Sequence, residues 1–231
     1  MTRSKKVLSS VLLLAALLSG CVDDNPGFYI RSNVTPDSQC AWSGSSSEAG
    51  QGILDLGYGY AHYAIYPVYN SQLRSRLSSN PPRIDTNGIQ IQSANIRLTD
   101  AAGVLLPIPQ AAYSVTASGF VPTAVDNTPG EGVGIIDAIP VLAANDIRNL
   151  SLVAPPDTST TPATPGTTLD IVVHVTVMGR TVGGEDVQAA EWSWPVTVCD
   201  HCRACFGEPP DVACHPGQDN EGWFEGCPSE G

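Results

Sequence analysis

The chain predicts an all-β fold: an antiparallel, immunoglobulin-like β-sandwich with a small disulfide-rich C-terminal appendage. Three observations carry that expectation. Apolar residues recur with a period of two along several short runs, the signature of half-buried strands. The composition is 42% hydrophobic and only 15% charged, with 22 Gly and 19 Pro, which suits short strands joined by turns far better than long helices. Five of the seven cysteines crowd into the last 33 of the 231 residues, where a polar segment has little else to hold it together. Turn signals between roughly five to eight short strands fit a sandwich, although the buried Trp–disulfide pattern of antibody domains is not evident.

Residues 1–20 form an export signal. Arg3, Lys5 and Lys6 precede an apolar stretch from Val7 to Leu18, interrupted only by Ser9 and Ser10. The stretch is too short to span a membrane, which takes about 20 apolar residues. Residues 21–39 carry Asp, Asn, Pro, Gly and Ser with little periodicity and are expected to be a tether. The sandwich is expected over 40–198 and a cysteine-rich tail over 199–231.

Within the domain, Ser43 to Gly52 is rich in turn residues. Leu54, Leu56, Tyr58 and Tyr60 fall on one face, continued by Ala64, Tyr66 and Val68, which reads as a strand or a bent pair. Asn70 to Leu77, stopped by Pro81-Pro82, is the best short-helix candidate. Gly88 to Thr99 alternates with a phase slip near Ser93, which predicts a bulge or a bend. The Asp100-Ala101-Ala102-Gly103 turn leads into Val104-Leu105-Leu106 as a hairpin. Tyr113, Val115 and Ala117 mark a further strand, and Gly132 to Leu142 another. After Ile147 to Val153, the Pro/Thr-rich run 155–167 is expected to be a long loop inside one domain, because the strands beyond it are too few to close a core alone. Leu169, Ile171, Val173, Val175 and Val177 then share a face. After a turn at Gly183-Gly184, so do Trp192, Trp194, Val196 and Val198, which completes a long hairpin. No internal repeat of fixed period is present.

The export signal ends in Leu18-Ser19-Gly20-Cys21 rather than an A-x-A-like site. That ending resembles the lipobox of bacterial lipoproteins. The resemblance implies cleavage after Gly20, a diacylglyceryl group on the Cys21 sulfur and a further fatty acid such as palmitate on the new amino group. Two or more acyl chains hold a protein stably at a membrane where one does not. Val22, rather than Asp, follows the cysteine, which by the same resemblance implies the outer membrane of a bacterial cell envelope rather than inner-membrane retention.

Removing the signal takes 3 of the 11 basic residues and none of the 23 acidic ones, leaving 8 against 23 and a net charge of −15. Every remaining basic residue is Arg. Such a surface repels phosphate backbones and anionic headgroups, so nucleic acid is not an expected partner.

With Cys21 assigned to the lipid, Cys40, Cys199, Cys202, Cys205, Cys214 and Cys227 remain. An even number in an exported chain argues for disulfides, and parity sharpens this. Five of the six lie in the tail, so complete intramolecular pairing requires Cys40 to join one of them. Closing so long a loop stabilises by about 4–5 kcal/mol in the chain-entropy model. The spacing does not choose among the 15 connectivities. The C-x2-C-x2-C run from Cys199 lacks the next cysteine of an iron–sulfur loop, with Glu208 and Pro209 in its place. Arg203 and Phe206 stand where a c-type haem site needs His. Zinc stays open as an alternative, on Cys199, His201, Cys202, Cys205, Cys214 and His215.

His62 and His174 sit in strand patterns with nothing nearby in sequence to make a triad. There is no G-x-S-x-G, H-E-x-x-H or P-loop. Asp219-Asn220-Glu221-Gly222 lacks the alternating spacing of an EF-hand. Tyr58, Tyr60, Tyr63, Tyr66 and Tyr69 are dense enough for a binding face, but core strand positions explain them better.

Gly179-Arg-Thr-Val-Gly-Gly-Glu-Asp-Val, Trp194-Pro-Val-Thr-Val-Cys-Asp-His-Cys, Cys214-His-Pro-Gly-Gln-Asp and the final Cys227 together resemble the C-terminal half of cysteine-rich lipoproteins common in myxobacteria. The resemblance implies an envelope location and no particular activity. The expected function is therefore non-catalytic, a lipid-anchored envelope protein with a binding or scaffolding role. Its expected partners are the membrane, through the anchor, and another envelope protein; no cofactor is expected. A zinc-binding or thiol-redox protein using the C-terminal Cys/His cluster is the alternative.

Overall fold

Ile30 and Ser32 are where the first strand bulges, and the chain has already entered the sheet by then. The computed structural model describes residues 27–36, 41–57, 61–75, 85–155 and 166–200. Its strands are β1 (Phe28–Val34), β2 (Glu48–Ala49), β3 (Gly52–Asp55), β4 (Tyr63–Ile65), β5 (Pro67–Ser71), β6 (Ile89–Asp100), β7 (Ala112–Val121) and β8 (Gly130–Ile139). After helix α1 (Val141–Asn149) come β9 (Leu169–Thr181), β10 (Asp186–Gln188) and β11 (Trp192–Cys199).

The strands form one path in the order β2-β1-β5-β8-β7-β6-β9-β11-β3, with β10 on β9 and β4 on β8. All pairings are antiparallel except β11 with β3, which run parallel. The two ends of the path, β2 and β3, are separated in the chain only by Gly50 and Gln51. That short link brings the sheet edges together into a nearly closed, barrel-like shape. The all-β expectation holds. The two-sheet immunoglobulin-like arrangement is replaced by this single mixed sheet, because β3 adds to β11 in parallel, a pairing that no hairpin pattern announces.

The longest strands behave as their patterns require. On β6, residues 89 and 91 are buried before the register shift at Ser93, and 94, 96 and 98 after it, so the phase slip is a bulge. Ile171, Val173, Val175 and Val177 of β9 point into the core with Trp194, Val196 and Val198 of β11. The Asp100 carboxylate accepts the backbone N–H groups of Ala102 and Val104 at 2.9 Å, which closes the expected hairpin turn. The Pro/Thr-rich stretch leaves and returns through an Ala154–Thr167 bridge, and β9 beyond it pairs with β6, so both sides of that stretch build one sheet.

Three local expectations are corrected. The supposed tether contains β1, whose Phe28, Ile30 and Val34 are buried; the bulge between Ile30 and Ser32 hides its alternation. Asn70 and Ser71 are not helical: they end β5 opposite Glu131 and Gly130, and Arg74 bridges to Ala124. Gly132 to Leu142 is a strand only to Ile139, after which α1 buries Ala143, Ala144 and Ile147. Its end is a Schellman turn, with Ser151 N–H bonded to Arg148 O at 2.9 Å and Leu152 N–H to Ile147 O at 3.3 Å.

The barrel interior holds one large apolar cluster drawn from β1, β3, β4, β6, β8, β9, β11 and α1. A second, smaller cluster lies outside the wall. There Val34, Ala64, Tyr66 and Val68 pack against Trp42, whose ring sits 4.6 Å from that of Tyr66. With apolar cover on both faces, every residue of β5 is buried. Tyr63, Tyr66 and Tyr69 are core residues, as expected; Tyr58 and Tyr60 lie outside the described residues.

Candidate functional site

Two outward-facing constellations on the barrel wall combine polar chemistry with position. The first is a groove over β4, β7 and β8, enclosing about 360 Å³. Ala64 pairs with Asp137 and Ala117 with Ile136, so strand alternation points Ala64, Ser118, Ile135 and Asp137 outward together. Ala64 and Ile135 also belong to the outer apolar cluster, which the groove therefore extends. His62 and Asp137 are its two titratable groups. Burial pushes the Asp137 carboxyl above the usual carboxylate range, and the nearby His62 imidazole draws it partly back. Beneath it, the Tyr113 hydroxyl donates to Ala138 O at 2.5 Å. Burial, and then the Asp137 charge, push the Tyr113 phenol up as well. The groove is thus mostly apolar with one reluctant carboxylate, a surface suited to an apolar side chain or ligand with a single donor.

The second constellation surrounds His174 on the outer face of β6, β9 and β11. His174 lies directly opposite Ser193 on one side and Arg97 on the other. Thr99 Oγ1 donates to Asp100 O at 3.0 Å and lies 3.0 Å from His174 Nε2. Ser193 Oγ lies 2.9 Å from Nδ1, within hydrogen-bond distance. Glu191 stands 3.4 Å from the same Nδ1 and takes both its oxygens to Arg97, at 3.0 and 2.8 Å. Sequence neighbours do not announce this cluster, but the register of the long hairpin does, because 174 and 193 are an outward cross-strand pair. A serine–imidazole bond alone is not a hydrolytic site, which also needs an acyl group held against the hydroxyl and donors for its oxyanion. Ser193 stands exposed on the open wall.

Of the cysteines, only Cys199 falls among the described residues. It ends β11, buried, with its sulfur 3.7 Å from Leu54 O. Cys21, Cys40, Cys202, Cys205, Cys214, Cys227, His201 and His215 lie outside the described residues, as do the signal and the rest of the tail. Among the described residues no group of three or more His, Cys, Asp or Glu is placed to hold a metal, and no helix is long and apolar enough to cross a membrane.

No family model matches the chain, and no curated protein matches it. Function therefore rests on the residues and their placement.

Proposed function

We propose that the chain is a lipid-anchored bacterial envelope protein, held at the outer membrane through Cys21, whose barrel has a non-catalytic binding or scaffolding role toward another envelope component. The Leu18-Ser19-Gly20-Cys21 ending carries the location. The groove between His62 and Asp137 carries the binding role, because most of its accessible lining is apolar. The resemblance to cysteine-rich myxobacterial lipoproteins supports the same reading.

The six remaining cysteines are taken as disulfides in preference to zinc ligands. Topology supports this: β1 and β11 run in the same direction through the antiparallel ladder, so β1 ends at the barrel end at which β11 delivers Cys199.

Intact mass of the protein from bacterial membranes is the test. The proposal expects a chain beginning at Cys21 with diacylglyceryl and acyl mass, and no free thiol after alkylation without reductant. An unmodified Cys21 overturns the anchor. Free thiols with one equivalent of zinc overturn the disulfides, and labelling of Ser193 by a fluorophosphonate overturns the non-catalytic assignment.

A further inference from the structure

The barrel has two ends, and both expose apolar side chains. Strand directions assign them. Gly27, the ends of β5 and β7, the starts of β6 and β8 and the turn 181–186 lie at one end. The turn 100–105, α1, the Ala154–Thr167 bridge and Cys199 lie at the other. At the first end Phe120 is 49% exposed, Val125 60% and Val182 54%. At the second, Val104, Leu105, Leu142 and Leu150 are comparably exposed. Exposed apolar area alone does not choose between them.

The chain leading to Cys21 does. β1 begins at Phe28, and only five residues lie between Gly27 and Cys21. Fully extended, that span reaches about 20 Å. Strand β6, with 12 residues, is about 40 Å long, so the far end lies beyond the anchor's reach unless the barrel lies flat. Gly27 is also stitched into the near end. Its carbonyl accepts Gln72 N–H at 2.8 Å, and Leu73 O accepts Ala124 N–H at 2.8 Å, which sets the exposed Val125 beside the point where the tether leaves. Across the same end Phe120 and Val182 close over Gly88. A Cβ there would lie 2.8 Å from Phe120 Cζ and 3.7 Å from Val182 Cγ2.

We infer that Phe120, Val125 and Val182 form a membrane-contacting end, seated in the interface of the bilayer that holds the lipidated Cys21. The inference rests on the anchor proposed above. Charges of both signs surround these residues: Arg74 is exposed at this end, Asp126 adjoins Val125, and Arg180 pairs with Asp186 at 3.3 Å. The acyl chains supply the affinity and the three side chains fix the orientation, with the far end and its cysteine-rich continuation directed away from the membrane.

Hydroxyl-radical footprinting with mass spectrometry tests this on the full mature chain. The lipidated protein in phosphatidylcholine vesicles is compared with the Cys21→Ser protein in buffer. Oxidation of Phe120, Val125 and Val182 is expected to fall at least about threefold in vesicles, while Leu105 and Leu142 stay unchanged. Equal oxidation of all five residues in a protein that sediments with the vesicles overturns the inference and leaves the anchor standing. Protection of Leu105 and Leu142 instead overturns the orientation. A protein that carries no acyl mass and stays in the supernatant overturns the anchor and the inference with it.

Discussion

Closure of the barrel rests on a buried contact among three strands, and it can be tested by taking that contact apart. Trp194 Nε1 of β11 donates to the Tyr63 hydroxyl of β4 at 3.1 Å; both side chains are nearly fully buried. The same hydroxyl lies against Gly52 of β3, where an added Cβ would stand 2.1 Å from Oη and 2.5 Å from Cζ. Tyr63→Phe removes the acceptor and leaves a buried indole N–H unpaired, at a cost of about 1–3 kcal/mol. For a domain of this size that lowers the melting temperature by about 2–12 °C. Gly52→Ala costs about 1–3 kcal/mol by overpacking, because the Tyr63 ring must move. The movement also breaks the bond to Trp194, which Tyr63→Phe has already removed. The double variant should therefore cost less than the sum of the singles by about 1 kcal/mol. Urea unfolding followed by tryptophan fluorescence reads all four proteins. A Tyr63→Phe cost below about 0.5 kcal/mol, or strict additivity, would refute the closure contact.

Other perturbations have definite signs. Asp137→Asn should raise stability at neutral pH. The folded carboxyl sits above its ordinary range, so its contribution is fully present below the unfolded value of about 3.9 and is lost as pH rises through the folded one; the gain over wild type in urea melts should shrink from pH 7 to pH 4. Ser151→Gly should stabilise by about 0.5–1 kcal/mol in thermal melts, because Ser151 ends α1 with a φ of 51° where glycine is unstrained. Glu191→Gln should change stability by less than about 0.5 kcal/mol, since Arg97 and Glu191 are 46% and 44% exposed; a larger loss in a urea titration would mean that the His174 cluster is a structural element.

What was legible in the chain was whatever one strand or one hairpin writes locally. The bulge at Ser93 shows as a change of apolar phase, and the β9–β11 hairpin as two alternating runs about a glycine turn. The strand β1 was not legible, because its bulge puts Arg31, Ser32 and Asn33 where alternation would be sought. Nor was α1, whose Asn145, Asp146 and Asn149 are poor helix formers; its nine residues are held by burying Ala143, Ala144 and Ile147. The parallel β3–β11 pairing joins Gly52 to Val196, a separation at which local patterns carry no information. The groove failed to show for the same reason. His62, Ser118 and Asp137 come from three segments, and each by itself is an ordinary outward residue of a strand or its flank.

That long-range pairing also fixes how the last strand is held at the far end of the barrel. Because β3 runs parallel to β11, it too points toward the far end, and Leu56 N–H bonds to Cys199 O at 2.7 Å. The last strand is therefore pinned in the sheet up to the residue from which the cysteine-rich tail departs. The first strand is pinned from Phe28, a few residues past Cys21, the proposed site of lipidation. Neither terminus has slack at the barrel, so an anchor at one and a covalently stapled tail at the other would be held a strand's length apart. If Cys21 is lipidated as proposed, such a geometry suits a scaffold, since the anchor would then fix the height of the barrel's far end above the membrane.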